Sequence, residues 1–159
     1  MKTFIAHRGL LDGPDTTIEN SPNQILKAIS LGFDVEVDIW LVNNKWVLGH
    51  DKPEYEIDFE FLNSPHFWVH CKNSDSLNYM VEASSSGNSI LFDFFYHKDD
   101  DHILTHNGFI WTYPGKPLFQ RSVCVMPEWH HDVKTPLLKS IDCFGVCTDY
   151  PVIIKQLNT

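Results

Sequence analysis

Apolar and polar positions alternate in short runs along this chain, and the period of the runs changes from strand-like to helical and back. Residues 3–6 form a first apolar, β-branched run, followed by a loop that holds Gly9, Gly13 and Pro14. Ser21 and Pro22 then open a segment in which Ile25, Leu26, Ala28 and Ile29 fall at helical spacing. Ser21 suits the N-cap, Pro22 the first helical position, and Gly32 the stop. A second strand is expected over 33–40, an extended segment over 46–49 after an Asn43-Asn44 turn, and a third strand over Phe67–Cys71. A helix over 76–83, a turn over 84–88 and a fourth strand over 89–94 follow. Further strands are expected at 103–105, 109–112, 122–126 and 144–148, with a short closing helix at 152–157.

Strand, helix, strand, helix over the first hundred residues is the order of a parallel α/β protein. Eight strand candidates point to a compact TIM-type (β/α)8 barrel. At 159 residues there are about 20 per unit, against about 31 in a typical barrel, so several outer helices would have to be reduced or missing. An open parallel sheet of fewer strands is the structural competitor. No repeat, low-complexity tract or linker divides the chain, so residues 1–159 read as a single domain.

Composition narrows the partners. A chain that is 43% hydrophobic and 13% aromatic has enough to bury for a packed core. Its net charge of −9 argues against coating nucleic acid or binding an anionic membrane surface. No run is long and apolar enough to cross a bilayer. His7 and Arg8 break the first apolar stretch too early for a signal peptide, which makes the cytoplasm the expected compartment. Cys71, Cys124, Cys143 and Cys147 then read as reduced thiols packed mostly in strands. A barrel short of outer helices would expose apolar strand faces, and a homodimer would cover them.

The candidate chemistry begins in the second strand. Asp34, Glu36 and Asp38 alternate with Val35, Val37 and Ile39, so three carboxylates share one face. An edge strand with a solvated acidic face is one reading. An oxygen-ligand site for Mg2+ or Ca2+ is the other, because buried carboxylates need a cation or donors to offset them. His7-Arg8-Gly9 follows the first strand and Gly49-His50-Asp51 ends an extended segment, both at strand C-termini where parallel α/β proteins build their sites. Two such histidines can serve as general acid and base, and Arg8 suits a phosphate oxygen. Glu19-Asn20-Ser21 precedes the first helix, either as its lead-in loop or as the source of another ligand, Glu19.

In order, I-A-H-R-G, E-N-S before a helix, V-E-V-D-I on a strand, L-G-H-D and a late G-V-C-T-D-Y-P resemble the glycerophosphodiester phosphodiesterase family, one of the phospholipase C-like phosphodiesterases. The likeness covers residues 5–51 well and 145–151 fairly; residues 73–144 match poorly. It implies a TIM-type barrel, a divalent metal at the strand C-termini, and hydrolysis of a small phosphodiester. His7 and His50 match the family's acid/base pair, in either assignment of roles. Glu36 and Asp38 match its metal ligands, with Glu19 in or near that shell. Arg8 matches the phosphate contact, and Lys72 matches the family's lysine on the third strand. His70 stands where that strand usually carries a carboxylate ligand.

His70 leaves three outcomes open: a shift from Mg, Ca or Mn toward a metal such as Zn that suits imidazole, a supporting or catalytic role for His70, or loss of the metal and of activity. Three functions are carried: a metal-dependent phosphodiesterase, a metal-independent phospholipase C-like phosphodiesterase for which His7, His50 and Arg8 would suffice, and a barrel that binds a phosphorylated ligand or partner without turnover. The cluster His97, Asp99, Asp100, Asp101, His102 and His106 reads as a solvated acidic loop or as a specificity loop with His97 or Asp100 near the metal. Trp111 reads as core and Tyr113 as a pocket residue, and Glu128, Trp129, His130 and His131 follow a strand end on the expected site side.

Overall fold

Strand β1 (Thr3–His7) is central to the sheet, pairing in parallel with β2 (Asp34–Val42) on one side and with β10 (Gly145–Thr148) on the other. The computed structural model describes residues 2–87, 90–134 and 142–158. From β2 the parallel sheet continues to β5 (Phe67–Cys71) and β6 (Asp93–Phe95). From β10 it continues to β9 (Ser122–Val125) and β8 (Ile110–Thr112). Two strands fold back antiparallel, β3 (Lys45–Leu48) on β2 and β7 (His102–Leu104) on β8, while β4 (Tyr55–Ile57) extends β3. Helix α1 (Pro22–Ser30) crosses from β1 to β2, α2 (Ser74–Ser85) from β5 to β6, and α3 (Pro151–Asn158) follows β10.

This is a curled, half-barrel sheet of mixed strand direction, and it overturns the expected (β/α)8 barrel. Among the described residues there are three α-helices, and the edge strands β6 and β7 do not pair with each other. The reason lies in the connections. Asn43 and Asn44, at φ 50° and 61°, make a two-residue turn that can only return its strand antiparallel. The five residues between Leu104 and Ile110 do the same for β7 and β8. Chain spent on hairpins is not available for crossover helices. Asn88 and Ser89, where the expected turn and fourth strand meet, lie outside the described residues.

The open edge is tied off by the loop after β7. The Thr105 hydroxyl donates to Asp93 Oδ2 at 2.6 Å, the Asn107 N–H donates to Asp93 Oδ1 at 2.9 Å, and the His106 N–H donates to the Phe94 carbonyl at 2.9 Å. A buried carboxylate accepting three local donors, with the Phe94 N–H as the third at 2.9 Å, is well satisfied.

Alternation along the strands separates two cores. Val35, Val37, Ile39, Val69 and Cys71 face outward onto the helices, where Ile25, Ala28 and Met80 are fully buried. On the concave face, Ile5, Trp68, Phe95, Trp111, Val123 and Cys147 form a second cluster. Trp68 stands 5.3 Å from Phe109 and 6.0 Å from both Trp111 and Phe144, centroid to centroid. These rings fill the lower part of the curl and give the polar strand ends an apolar floor. All four cysteines are unpaired and buried, and burial pushes the Cys71 and Cys124 thiols up to about 12, so they are unreactive.

Candidate active site

The concave face changes character at the C-terminal ends of β1, β2 and β5. Strand register sets His7 beside Glu36 and Asp38 beside His70. Because Glu36, Asp38, Trp68 and His70 obey the same alternation, the two carboxylates and the imidazole stand directly above the aromatic floor. Their ligand atoms lie within 4.8 Å of one another and all three residues are buried, so they form a set that could hold a metal ion. Asp34 shares their face lower down but is occupied elsewhere, by the His66 ring at 2.9 Å and the Trp68 indole at 3.3 Å.

Asp38 is the most heavily partnered group in the site. Its Oδ1 accepts from His70 Nδ1 at 2.9 Å and pairs with Lys72 Nζ at 3.3 Å. Its Oδ2 accepts from Asn20 Nδ2 at 2.9 Å and pairs with Arg8 Nε at 3.3 Å. Burial alone would raise this carboxyl. The hydrogen bond and charge of His70, with Lys72 and Arg8, outweigh burial and hold it far below the usual carboxylate range. Removing a partner from such a buried ion pair typically costs about 3–5 kcal/mol.

Glu36 is the opposite case. It accepts one hydrogen bond, from the Arg8 backbone N–H at 3.1 Å, and lies 4.0 Å from His7 Nε2. Burial, and then the nearby Asp38 charge, push its carboxyl up. It is therefore the acid here with the least compensation.

Both histidines expected to do acid–base work line the same cavity, and each has its Nδ1 on a carboxylate. His7 Nδ1 donates to Asp149 Oδ1 at 2.7 Å, and His50 Nδ1 donates to Asp51 Oδ1 at 2.7 Å. For His7, burial would lower the pKa, but the Asp149 hydrogen bond and the Glu36 charge outweigh it and the net shift is upward. For His50, burial dominates and the shift is downward. Asp149 is in turn steadied by Glu128, whose Oε1 accepts from the Asp149 N–H at 2.9 Å and the Thr148 hydroxyl at 2.7 Å.

Tight turns deliver these groups. Arg8, Asn20 and Met126 are non-glycine residues at positive φ (52°, 57° and 45°), and each bounds the site. Such residues cost roughly 1–3 kcal/mol each and persist where the surroundings over-determine them. Arg8 in this conformation turns its N–H to Glu36, and the Asn20 N–H donates to the Arg8 carbonyl at 2.9 Å. Gly49, at φ 147°, has no room for a Cβ, which would run into the Lys52 carbonyl. Its N–H donates to the Asp38 carbonyl at 3.1 Å and its carbonyl accepts from Trp40 Nε1 at 2.6 Å, so His50 is held on a turn anchored to β2.

Not every expected site residue reaches the cavity. Glu19, expected in or near the metal shell, instead accepts from the Arg8 guanidinium at 3.0 Å and lies outside the Glu36, Asp38 and His70 set. Lys72, expected on the substrate phosphate, is turned onto Asp38 and is not part of the cavity lining. Arg8, His7, His50, His70, Glu36 and Asp38 all line it. So does His97, stacked on His70 at 4.4 Å with its buried Nδ1 unpartnered; burial, with the charges of His70 and Lys72, pushes it down to about 4. Asp101 pairs with Lys116 at 2.9 Å, His102 donates to the Pro117 carbonyl at 2.9 Å and His106 stacks on Phe94 at 4.4 Å, so none of these three serves the site.

Two residues matter more here than their sequence signal suggested. In the sequence Asn20 is marked only as the middle of E-N-S, beside the candidate ligand Glu19. Asp149 is marked only as part of the closing T-D-Y-P segment. Both act across sequence distances of 18 and 142 residues, which no local pattern encodes.

The cavity itself encloses about 210 Å³. Compared with known proteins, the chain matches no family model, no curated protein and no solved structure.

Proposed function

We propose that this chain is a phosphoric diester hydrolase acting on a small phosphodiester by acid–base catalysis between His7 and His50. The observation that carries this reading is the convergence of two carboxylate-held imidazoles and one guanidinium on a single small cavity. The ordered motifs that resemble glycerophosphodiester phosphodiesterases point the same way.

In the reaction, the oxygen of water, or of a neighbouring substrate hydroxyl, forms a new bond to phosphorus and gives its proton to one imidazole. The P–O bond to the departing alcohol breaks, and the other imidazole supplies the proton that the alkoxide needs. Arg8 faces the charge that builds on the phosphoryl oxygens. With a net charge of −9, the local cations and not the global field must attract the substrate.

Glu36, Asp38 and His70 fit a divalent ion, because their ligand atoms converge and Glu36 is buried with a single hydrogen bond, the nearby His7, His70 and Arg8 charges not outweighing its burial and the Asp38 charge. Such an ion would supply Lewis-acid polarisation of the phosphoryl oxygens. A mixed carboxylate and imidazole donor set suits Mn2+ or Zn2+ better than Ca2+. A second reading, cleavage without a metal, is favoured by one specific observation: both Asp38 oxygens already have cationic or amide partners.

The test is turnover of a panel of small phosphodiesters, glycerophosphodiesters included, with Mg2+, Mn2+, Ca2+, Zn2+ or EDTA, beside His7→Ala and His50→Ala. Metal-dependent turnover lost in both variants supports the first form, and turnover that survives EDTA supports the second. Phosphate binding without any turnover would replace both with a binding protein.

A further inference from the structure

The cavity has two unlike walls. His7, Arg8, His50 and His70, with the carboxylates of Glu36 and Asp38, make one. Ile103 from β7, Trp111 from β8, Val125 from β9, and Tyr113, Met126 and Trp129 from the loops after β8 and β9 make the other. A phosphoryl group, with the cation that Glu36, Asp38 and His70 could hold, accounts for the first wall and leaves the second without an occupant.

That second wall is built of rings and is held in place. Trp111 is 5% exposed and stacks on Phe95 at 4.6 Å, so its orientation is set by the core. Met126 takes a left-handed turn at φ 45°, its N–H donating to the Cys147 carbonyl at 2.8 Å. The Trp129 backbone N–H then donates to the Met126 carbonyl at 3.1 Å, and Trp129 lines the cavity. Trp129 meets Tyr113 edge to face, with centroids 6.3 Å apart at 78°. Both rings stay largely exposed, at 59% and 45%. Two large aromatic side chains left partly uncovered at the mouth of a polar site are a surface awaiting a ligand.

Resting on the phosphodiesterase reading, we infer that the substrate is a phosphodiester in which one ester group carries a single planar ring. The ring packs on Trp111, Tyr113 and Trp129 while the phosphate faces Arg8 and the histidines. A glyceryl group would leave most of the apolar area of that wall uncovered, whereas a ring would cover it. The cavity, at about 210 Å³, has room for a phosphoryl group and one ring.

Two ligand pairs test this. Benzylphosphonate and methylphosphonate are titrated by calorimetry, with Mn2+ and with EDTA. Benzyl methyl phosphate and glyceryl methyl phosphate are compared as substrates, since their leaving alcohols differ far less in acidity than a phenol would. The expected result is roughly tenfold or greater preference for the ring-bearing member in affinity and in kcat/KM. That preference should collapse toward one in Trp129→Ala and Tyr113→Ala and be largely retained in Trp129→Phe. Equal binding and turnover of both members overturn the ring subsite and leave the phosphodiesterase reading intact. A preference unchanged in both alanine variants places the ring elsewhere and also overturns the subsite. Failure of every probe to bind or turn over overturns the phosphodiesterase reading, and the subsite with it.

Discussion

Asn20 and Asp38 are bonded to each other twice. The Asn20 amide donates to Asp38 Oδ2 at 2.9 Å, and the Asp38 backbone N–H donates to Asn20 Oδ1 at 3.0 Å. Asn20 is fully buried and sits at φ 57°, a conformation that asparagine tolerates better than most residues. The pair fastens the loop before α1 to the strand that carries both candidate metal-binding carboxylates, and so fixes where Arg8 and Glu19 can go.

Asn20→Ala should therefore destabilise the protein by about 2–4 kcal/mol, from two unmet buried partners and a left-handed alanine. Urea denaturation reads this directly. Asn20→Asp should be at least as damaging, since it sets a second negative charge against Asp38. A variant of wild-type stability would mean that the loop does not depend on this pair.

His7 and Asp149 should behave as one unit. His7→Ala and His50→Ala are each expected to lower kcat by about 10²–10⁴ with unchanged circular dichroism. Asp149→Asn should cost less than His7→Ala, and the His7→Ala/Asp149→Asn double variant should cost hardly more than His7→Ala alone. Fully additive losses would separate Asp149 from the work of His7.

Glu36→Gln should pull metal affinity and metal-free stability in different directions. Neutralising a buried, poorly compensated carboxyl should leave the metal-free protein at least as stable as wild type. The same change should weaken binding of Mn2+ or Zn2+ at least about tenfold in calorimetry. Unaltered ion affinity would take Glu36 out of the metal set.

His97 carries a pH signature. Its folded-state pKa is pushed from 6.5 to about 4, so below pH 6.5 the unfolded chain takes up a proton that the folded chain refuses. Stability contributed by neutral His97 is complete above pH 6.5 and is lost as pH falls toward 4. Glu36, Asp93 and Glu128, whose carboxyls are pushed up chiefly by burial, act in the opposite sense. The readout is therefore the difference between wild type and His97→Gln: wild type should lose denaturation midpoint relative to the variant across that window. Parallel curves would contradict the assignment.

Sequence alone determined most of the elements. The 3.6-residue period between Ile25 and Ile29, closed by Gly32 at φ 78°, is α1, and the alternation of Asp34 through Ile39 is β2 with its carboxylates on one face. These are local properties, set by side-chain direction and backbone preference within a few residues. His7, Arg8 and His50 were also legible next to strand ends, and Glu36 and Asp38 as one face of an alternating strand, whereas His70 stood out only through the resemblance to a family.

Tertiary structure decided how the strands were used. Alternation identifies the faces of a strand but not the direction of its neighbour. The length of the connection sets that direction, so β3 and β7 became hairpin arms and the barrel became a half-barrel. Long-range contacts also decided that Glu19 and Lys72 pair with Arg8 and Asp38, that Asp149 comes to His7, and that Trp129 lines the cavity. Each of these depends on which side chains meet after the sheet has curled, and a charge is drawn to the nearest buried opposite charge wherever it lies in the chain.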